Sequence, residues 1–225
     1  MTHDSFLKLI FLTIPYLNYI RNKSRVRNII ILEIMVPITI RYLAGGIILD
    51  LKNVYGANRS WCYELRDKVI IAIFKCSILD ISFPIDKYDE MNEIRLGFTS
   101  KSELNIFYHA VGALRDMLQA CECPTKEDSN GNQNGYYFGH YQTISLNCQG
   151  MLYTLLWFTF FAVAAPGKES DICALNRTNF SPILESIPPF GYVVCDAAYA
   201  LSNKMSIPFT GSQRNIPEND AFNFY

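Results

Sequence analysis

The sequence predicts an α+β chain, a helical front section followed by a mixed sheet. Three observations carry this. Apolar residues recur at helical spacing from Val26 to Cys76, with breaks at Gly45-Gly46 and Gly56. Beyond Lys101 the pattern changes to short apolar runs separated by turn pairs such as Asn130-Gly131 and Asn134-Gly135. Charge divides at nearly the same place. Residues 1–75 hold 11 Lys/Arg against 5 Asp/Glu, a balance of +6, while residues 76–225 hold 9 against 16, a balance of −7.

A chain of 225 residues, half of them hydrophobic, fits one large domain or a small one joined to a larger. It carries too much apolar material for wholesale disorder. A basic front half beside an acidic rear half suits a nucleic-acid-facing module followed by a carboxylate-bearing one. A chance partition of surface charge fits the same counts. Seven cysteines, an odd number at irregular spacing, argue against a secreted disulfide scaffold. Cys121-Glu122-Cys123 lacks the two-residue gap and the second ligand pair of a zinc site, and reads as a pair of buried thiols. Phe6–Tyr19 and Met151–Ala165 are both shorter than the ~20 residues a spanning helix needs. The chain is therefore expected to be soluble and intracellular, with no membrane partner.

Element by element, residues 1–25 form an apolar, then basic leader ending in Arg21-Asn22-Lys23-Ser24. Residues 26–80 read as a helical, helix-turn-helix-like region. One helix ends over Ile38–Leu43, and a second runs from Ile47 to Tyr55. Gly56 is then placed as the left-handed residue that closes it. Asn58 or Ser60 caps a third helix over Trp61–Cys76. In a DNA-reading geometry that helix presents Arg59, Ser60, Tyr63, Arg66 and Lys68 outward, while Leu65, Val69 and Ile73 pack inward. From spacing alone, a plain three-helix bundle with a solvated basic face is the better reading.

Residues 81–100 read as a connector with an acidic helical stretch over Asp86–Arg95, and residues 101–225 as a sheet domain. Its expected strands are Ala110–Leu118, Tyr141–Gln149, Leu155–Ala164 and Tyr192–Cys195, the middle two forming a hairpin, with a short helix over Asp171–Asn179. Three antiparallel strands, a helix and a further strand is the order of an RNase H-like fold.

Four segments are similar to one family. They are Phe161–Gly167 with Asp171, Gly191–Leu201, Asn219–Tyr225, and the stretch from Ile40 through Ser60. Together they resemble the DDE-superfamily endonuclease domain of Harbinger-type transposases and their derivatives, over most of residues 38–225. The resemblance implies a nuclear, DNA-acting hydrolase that cuts phosphodiesters with Mg²⁺ or Mn²⁺ held between carboxylates. Such hard cations take oxygen ligands. It also implies a homo-oligomer or a separate partner subunit.

Carried over residue by residue, the second acid falls on Asp196, in Asp196-Ala197-Ala198-Tyr199. The first belongs in a Gly-Ala-(Ile or Leu)-Asp segment, where this chain reads Gly112-Ala113-Leu114-Arg115-Asp116. The ungapped match puts Arg115 at the acid position and Asp116 one residue late. A one-residue slip on a strand reverses the face a side chain points to, unless a β-bulge restores it. Asp116 and Asp196 are thus the candidate catalytic and metal-binding pair, and Asp171 is an accessory acid with a competing reading as a helix N-cap. His140 stands where relatives often carry a phosphate-contacting base. A third acid, a Glu on a following helix, has no counterpart before Tyr225, so an impaired, C-terminally incomplete site is expected. The alternative is a non-catalytic DNA-binding or interaction protein that uses its basic front helices. The departure from the family over Tyr153–Thr159 predicts a broken hairpin turn.

Overall fold

A computed structural model describes residues 2–17, 25–56, 58–85, 87–102 and 105–224. The basic stretch 21–24 lies outside the described residues. The chain divides into two compact units, Met1–Asp80 and Ile81–Tyr225. No described helix is long and apolar enough to cross a membrane.

The first unit is helical, with α1 (His3–Thr13), α2 (Arg25–Leu43), α3 (Ile48–Tyr55) and α4 (Arg59–Lys75). Its punctuation follows local chemistry. Gly45 and Gly56 sit at φ +89° and +64°, a region that glycine enters without a Cβ penalty. Asn58 caps α4 by accepting the Trp61 N–H at 2.7 Å. Leu65 and Val69 are buried with Met35, Ile38, Leu51 and Cys62, and Ile73 packs against that cluster.

The second unit is a six-stranded mixed sheet with helices. Its elements are α5 (Tyr88–Lys101), β1 (Ala110–Ala120), β2 (Tyr137–Phe138), β3 (Thr143–Leu152), β4 (Phe158–Pro166), α6 (Asp171–Asn176), α7 (Ser181–Ser186), β5 (Tyr192–Cys195), β6 (Met205–Ser206) and α8 (Pro217–Phe224). The sheet runs β6–β5–β1–β3, with β4 and β2 both alongside β3. β1, β3 and β4 are antiparallel neighbours, and β5 and β6 run parallel to β1. β1 and β5 lie side by side, with Ala113 opposite Val194 and Leu114 opposite Cys195.

Several details differ from the sequence reading. The acidic helical stretch expected over Asp86–Arg95 is α5, which continues to Lys101 and packs on β1. The hairpin turn is intact. The Tyr153 N–H donates to the Trp157 carbonyl at 3.1 Å and the Leu156 N–H to the Tyr153 carbonyl at 2.9 Å. Its cost is a left-handed Leu156 at φ +62°, a conformation that bulky side chains disfavour. Cys123 is exposed and Cys121 half-buried, so the two thiols are not core residues.

One irregularity in β1 matters for the site. Val111 and Leu114 both belong to the core, with Met151, Val193 and Cys195. Residues three apart on a regular strand point to opposite faces. The register against β5 shifts between Ala110 and Gly112, leaving Val111 as the extra residue of a β-bulge. From Gly112 onward the filled face then receives Leu114 and Asp116. A Cβ on Gly112 would lie 2.6 Å from the Met151 Sδ and 2.7 Å from its Cγ, so the buried Met151 side chain would have to shift to admit one.

Candidate active site

Asp116 lies opposite Gln149 on β3, and Arg115 lies opposite Gly150. Directly paired residues share a face. The Asp116 carboxylate therefore stands with the core-facing side chains, partly buried, while Arg115 is exposed on the other side. This reverses the orientation implied by an ungapped match. The guanidinium points away from the position where a cation would sit, because the bulge at Val111 has already reset the alternation.

Asp196 directly follows Cys195, the last residue of β5. Its Oδ1 accepts the Ala198 N–H at 2.8 Å, a local turn that fixes the carboxylate at the strand's end. Three residues on, Tyr199 drops into the core and is only 3 % exposed. Its hydroxyl donates to the Gln149 Oε1 at 2.5 Å. The Gln149 Nε2 donates to the Asn147 Oδ1 at 2.6 Å. The Asn147 Nδ2 then donates to the Asp171 Oδ1 at 2.8 Å and to the Glu169 carbonyl at 3.3 Å. Every donor in this chain points the same way, so the orientation of each amide is set by the next acceptor.

Asp171 is the first residue of α6 and not its cap. Ser170 occupies the N-cap position, with no side-chain cap bond. The Asp171 carboxylate is instead held by Asn147 from β3.

Asp116, Asp171 and Asp196 lie within electrostatic reach of one another. Burial first, and then the charges of Asp171 and Asp196, push the Asp116 carboxyl above the usual carboxylate range. The same three charges, behind burial, push the Tyr199 phenol upward, so it stays a donor. The donor set is hard oxygen throughout and suits Mg²⁺ or Mn²⁺ in kind. A cation would relieve the repulsion that raises Asp116. Among the described residues, however, no three His, Cys, Asp or Glu side chains are close enough together to hold an ion. The acids feel one another across the site without closing into a cage.

Asn147 and Gln149 escaped the sequence reading, which took Tyr141–Gln149 only as an alternating strand. The signal was there: Ser145, Asn147 and Gln149 are polar at period two. In the structure this polar stripe is the buried one, with Ser145 and Gln149 at 0 % and Asn147 at 1 % exposure. Amides are buried at such cost that they need partners.

The front-half candidates are placed separately, in the first unit. Arg59 and Ser60 are exposed in the first turn of α4. Arg66 stacks over Tyr42 at 4.7 Å and Tyr63 at 4.8 Å and pairs with Asp67, which leaves its charge engaged. Lys68 pairs with Glu64. In the second unit, His140 is exposed and packs edge-on against Tyr141 and Phe138.

Two outcomes test this arrangement. Tyr199→Phe leaves the buried Gln149 Oε1 without its donor and is expected to cost about 1–3 kcal/mol. Thermal unfolding of the variant measures it, and an unchanged Tm would mean the relay is not holding the site together. Asp116→Asn removes a repelled charge and is expected to raise Tm at neutral pH. The folded-state pKa of Asp116 is raised, so ionisation costs the native state stability as pH rises. The advantage of the Asn variant is therefore absent below the ordinary carboxylate pKa. It grows from there to the raised pKa of Asp116 and is constant above it. Tm measured from pH 3 to 8 reads this profile, and a flat difference would contradict it.

Residues 118–224, just under half of the chain, match the family model described as DDE superfamily endonuclease. The match opens two residues after Asp116 and takes in Asn147, Gln149, Asp171 and Asp196. No curated protein and no solved structure matches the chain. The segment that carries the buried relay and the acid after β5 is thus similar to DDE superfamily endonucleases.

Proposed function

We propose that the second unit is a transposase-derived, DDE-type nuclease domain of RNase H-like build, of the Harbinger type, and that its activity is impaired. Asp116 and Asp196 form its catalytic and metal-binding pair, and Asp171 is an accessory acid. The observation that carries this reading is that Asp116 on β1 and Asp196 at the end of the adjoining β5 lie within electrostatic reach of one another and of Asp171, with burial first and then those two charges pushing the Asp116 carboxyl upward. A bound Mg²⁺ or Mn²⁺ would supply Lewis-acid stabilisation of the charge that develops on a phosphodiester. The chain's own residues do the rest. Asp116 and Asp196 offer oxygens from neighbouring parallel strands, Asn147 holds Asp171, and Tyr199 anchors the turn that carries Asp196. Impairment is supported by the loose spacing of the acids, since no described Glu joins them in a compact set. On this reading the protein works in the nucleus, on DNA.

The test is the response of the full chain to Mn²⁺. Mn²⁺ is expected to raise Tm of the wild type and to leave Asp196→Asn unmoved, while supercoiled plasmid is nicked weakly or not at all. Equal responses in both proteins would remove the metal assignment. Robust Mn²⁺-dependent nicking that Asp196→Asn abolishes would remove the impairment and leave a working nuclease.

A second reading, DNA binding without catalysis, is favoured by one feature of the first unit. A cavity of about 390 Å³ is lined by Tyr42, Lys52, Arg59 and Tyr63, with Ile47 and Leu49. Lys52 and Arg59 make no ion pair with any described residue, whereas Arg66 and Lys68 do. Unpaired cations beside aromatic rings suit a phosphate backbone with its sugars and bases. Replacing both Lys52 and Arg59 by Ala is expected to weaken duplex binding and to lower the slope of log K against log salt by about 2. An unchanged slope would show that this face does not meet phosphate.

A further inference from the structure

The second unit has another concave site, apart from Asp116, Asp171 and Asp196 and from the buried relay. It is a cavity of about 510 Å³ between α5 and the β3–β4 turn, a size common among small-ligand sites. One wall is a single face of α5, where Glu90, Glu93, Ile94 and Gly97 follow at i, i+3, i+4 and i+7. The facing wall is the turn and the start of β4, with Tyr153, Thr154, Trp157 and Phe158. The two walls are tied together. Lys101, one turn beyond Gly97, donates from its Nζ to the Thr154 carbonyl. Gly97 leaves room for the Thr154 side chain, which a Cβ at that position would meet. The cleft is thus built by contacts within the unit, with no ligand needed to form it.

Its chemistry is that of a cation site. The Tyr153 and Trp157 rings lie 5.8 Å apart at 81° and so form a corner. Ring faces are electrostatically negative and attract a cation placed over them. Full negative charge stands across the cleft. Glu93 makes no ion pair with any described residue. Glu90 accepts the Lys87 Nζ at 2.9 Å, so an ammonium already sits at the rim. That pair is exposed on both sides, and an exposed pair is weak enough to be exchanged. Thr154 supplies an independent sign of an absent partner. It is 8 % exposed, yet its hydroxyl makes no hydrogen bond with a described residue. Its Oγ1 is the atom nearest to the place a Gly97 Cβ would take, on the cavity wall. Buried hydroxyls ordinarily have a partner.

We infer that this cleft binds a protonated amine carried on an apolar body. An ammonium has three protons to donate, which suits the Glu93 carboxylate and the Thr154 hydroxyl together. The apolar body lies against Tyr153 and Trp157, with Pro84 and Leu155 completing the lining. An anion would meet two carboxylates, and a neutral apolar molecule would leave Glu93 and Thr154 unmatched. The inference goes beyond the nuclease reading and does not rest on it, since it uses none of the three aspartates.

Tryptophan fluorescence of the full chain tests it. The chain has two tryptophans, so Trp61→Phe leaves Trp157 as the sole reporter. Titration of that protein with 2-phenylethylammonium is expected to change Trp157 emission saturably, while 2-phenylethanol, the neutral analogue, does not. Replacing both Glu90 and Glu93 by Gln should raise the midpoint about tenfold with Tm unchanged, because both side chains are exposed. Glu185→Gln, which removes an exposed carboxylate elsewhere, should leave the midpoint where it was. N-acetyl-lysine methylamide is the second ammonium probe. Saturation by it at the lower concentration would assign the site to a protein lysine, and the reverse order to a free amine; both support an ammonium site. Three results would overturn the inference: no saturable response to either amine, an equal response to 2-phenylethanol, or a midpoint indifferent to the loss of Glu90 and Glu93.

Discussion

One extra residue in β1 decides what this sheet can do. Val111 and Leu114 both have to reach the core, and a regular strand cannot send residues three apart to the same side. The bulge between Ala110 and Gly112 resolves that conflict, and everything downstream inherits the new alternation. Leu114 faces Met151 and Val193, Arg115 turns to solvent, and Asp116 enters the side that Asn147 and Gln149 occupy. The apolar demand of the core is much larger than any preference of one carboxylate. Burial of Leu114 thus fixes the side Asp116 occupies, where its own burial first and then the charges of Asp171 and Asp196 raise its pKa.

The second organising feature is the buried amide stripe of β3. A strand that hides Ser145, Asn147 and Gln149 while leaving Leu146 half-exposed inverts the usual partition. It is tolerable because the amides are satisfied in sequence, from the Tyr199 hydroxyl through Gln149 and Asn147 to Asp171. The relay ties three pieces of chain that are distant in sequence: the turn after β5, the middle strand, and the start of α6. Positions of Asp196 and Asp171 are therefore coupled through β3 instead of resting on separate loops. The Ser145 hydroxyl, at the outer end of the stripe, is buried with no hydrogen-bond partner among the described residues.

Much of the architecture was legible because it depends on local signals. Gly56, Asn58 and the spacing of Leu65 and Val69 mark α4 and its entry, since capping and amphipathic burial are short-range effects. The hairpin of β3 and β4 and the strand ending at Cys195 follow from apolar runs and turn residues in the same way. The helix α5 was legible in the acidic stretch from Asp86 to Arg95, but its docking on β1 was not, because nothing local in a helix says what it packs against. The turn at Leu156 was missed for a related reason. A left-handed Leu is locally unfavourable and persists only because the paired strands on either side hold it.

The sequence by itself determined the front helices and the order of four of the six strands, the charge asymmetry between the two halves, and Asp196 as an acid at a strand's end. These are written in periodicity, composition and motif, which need no distant partner to be read. Tertiary structure alone decided that Asp116 faces inward, that Asn147 and Gln149 are buried, and that Arg66 is engaged by Tyr42, Tyr63 and Asp67. Each of these depends on which residues from elsewhere in the chain come to lie alongside. A side chain's face on a strand is a parity, and one bulge formed to satisfy a remote core reverses it.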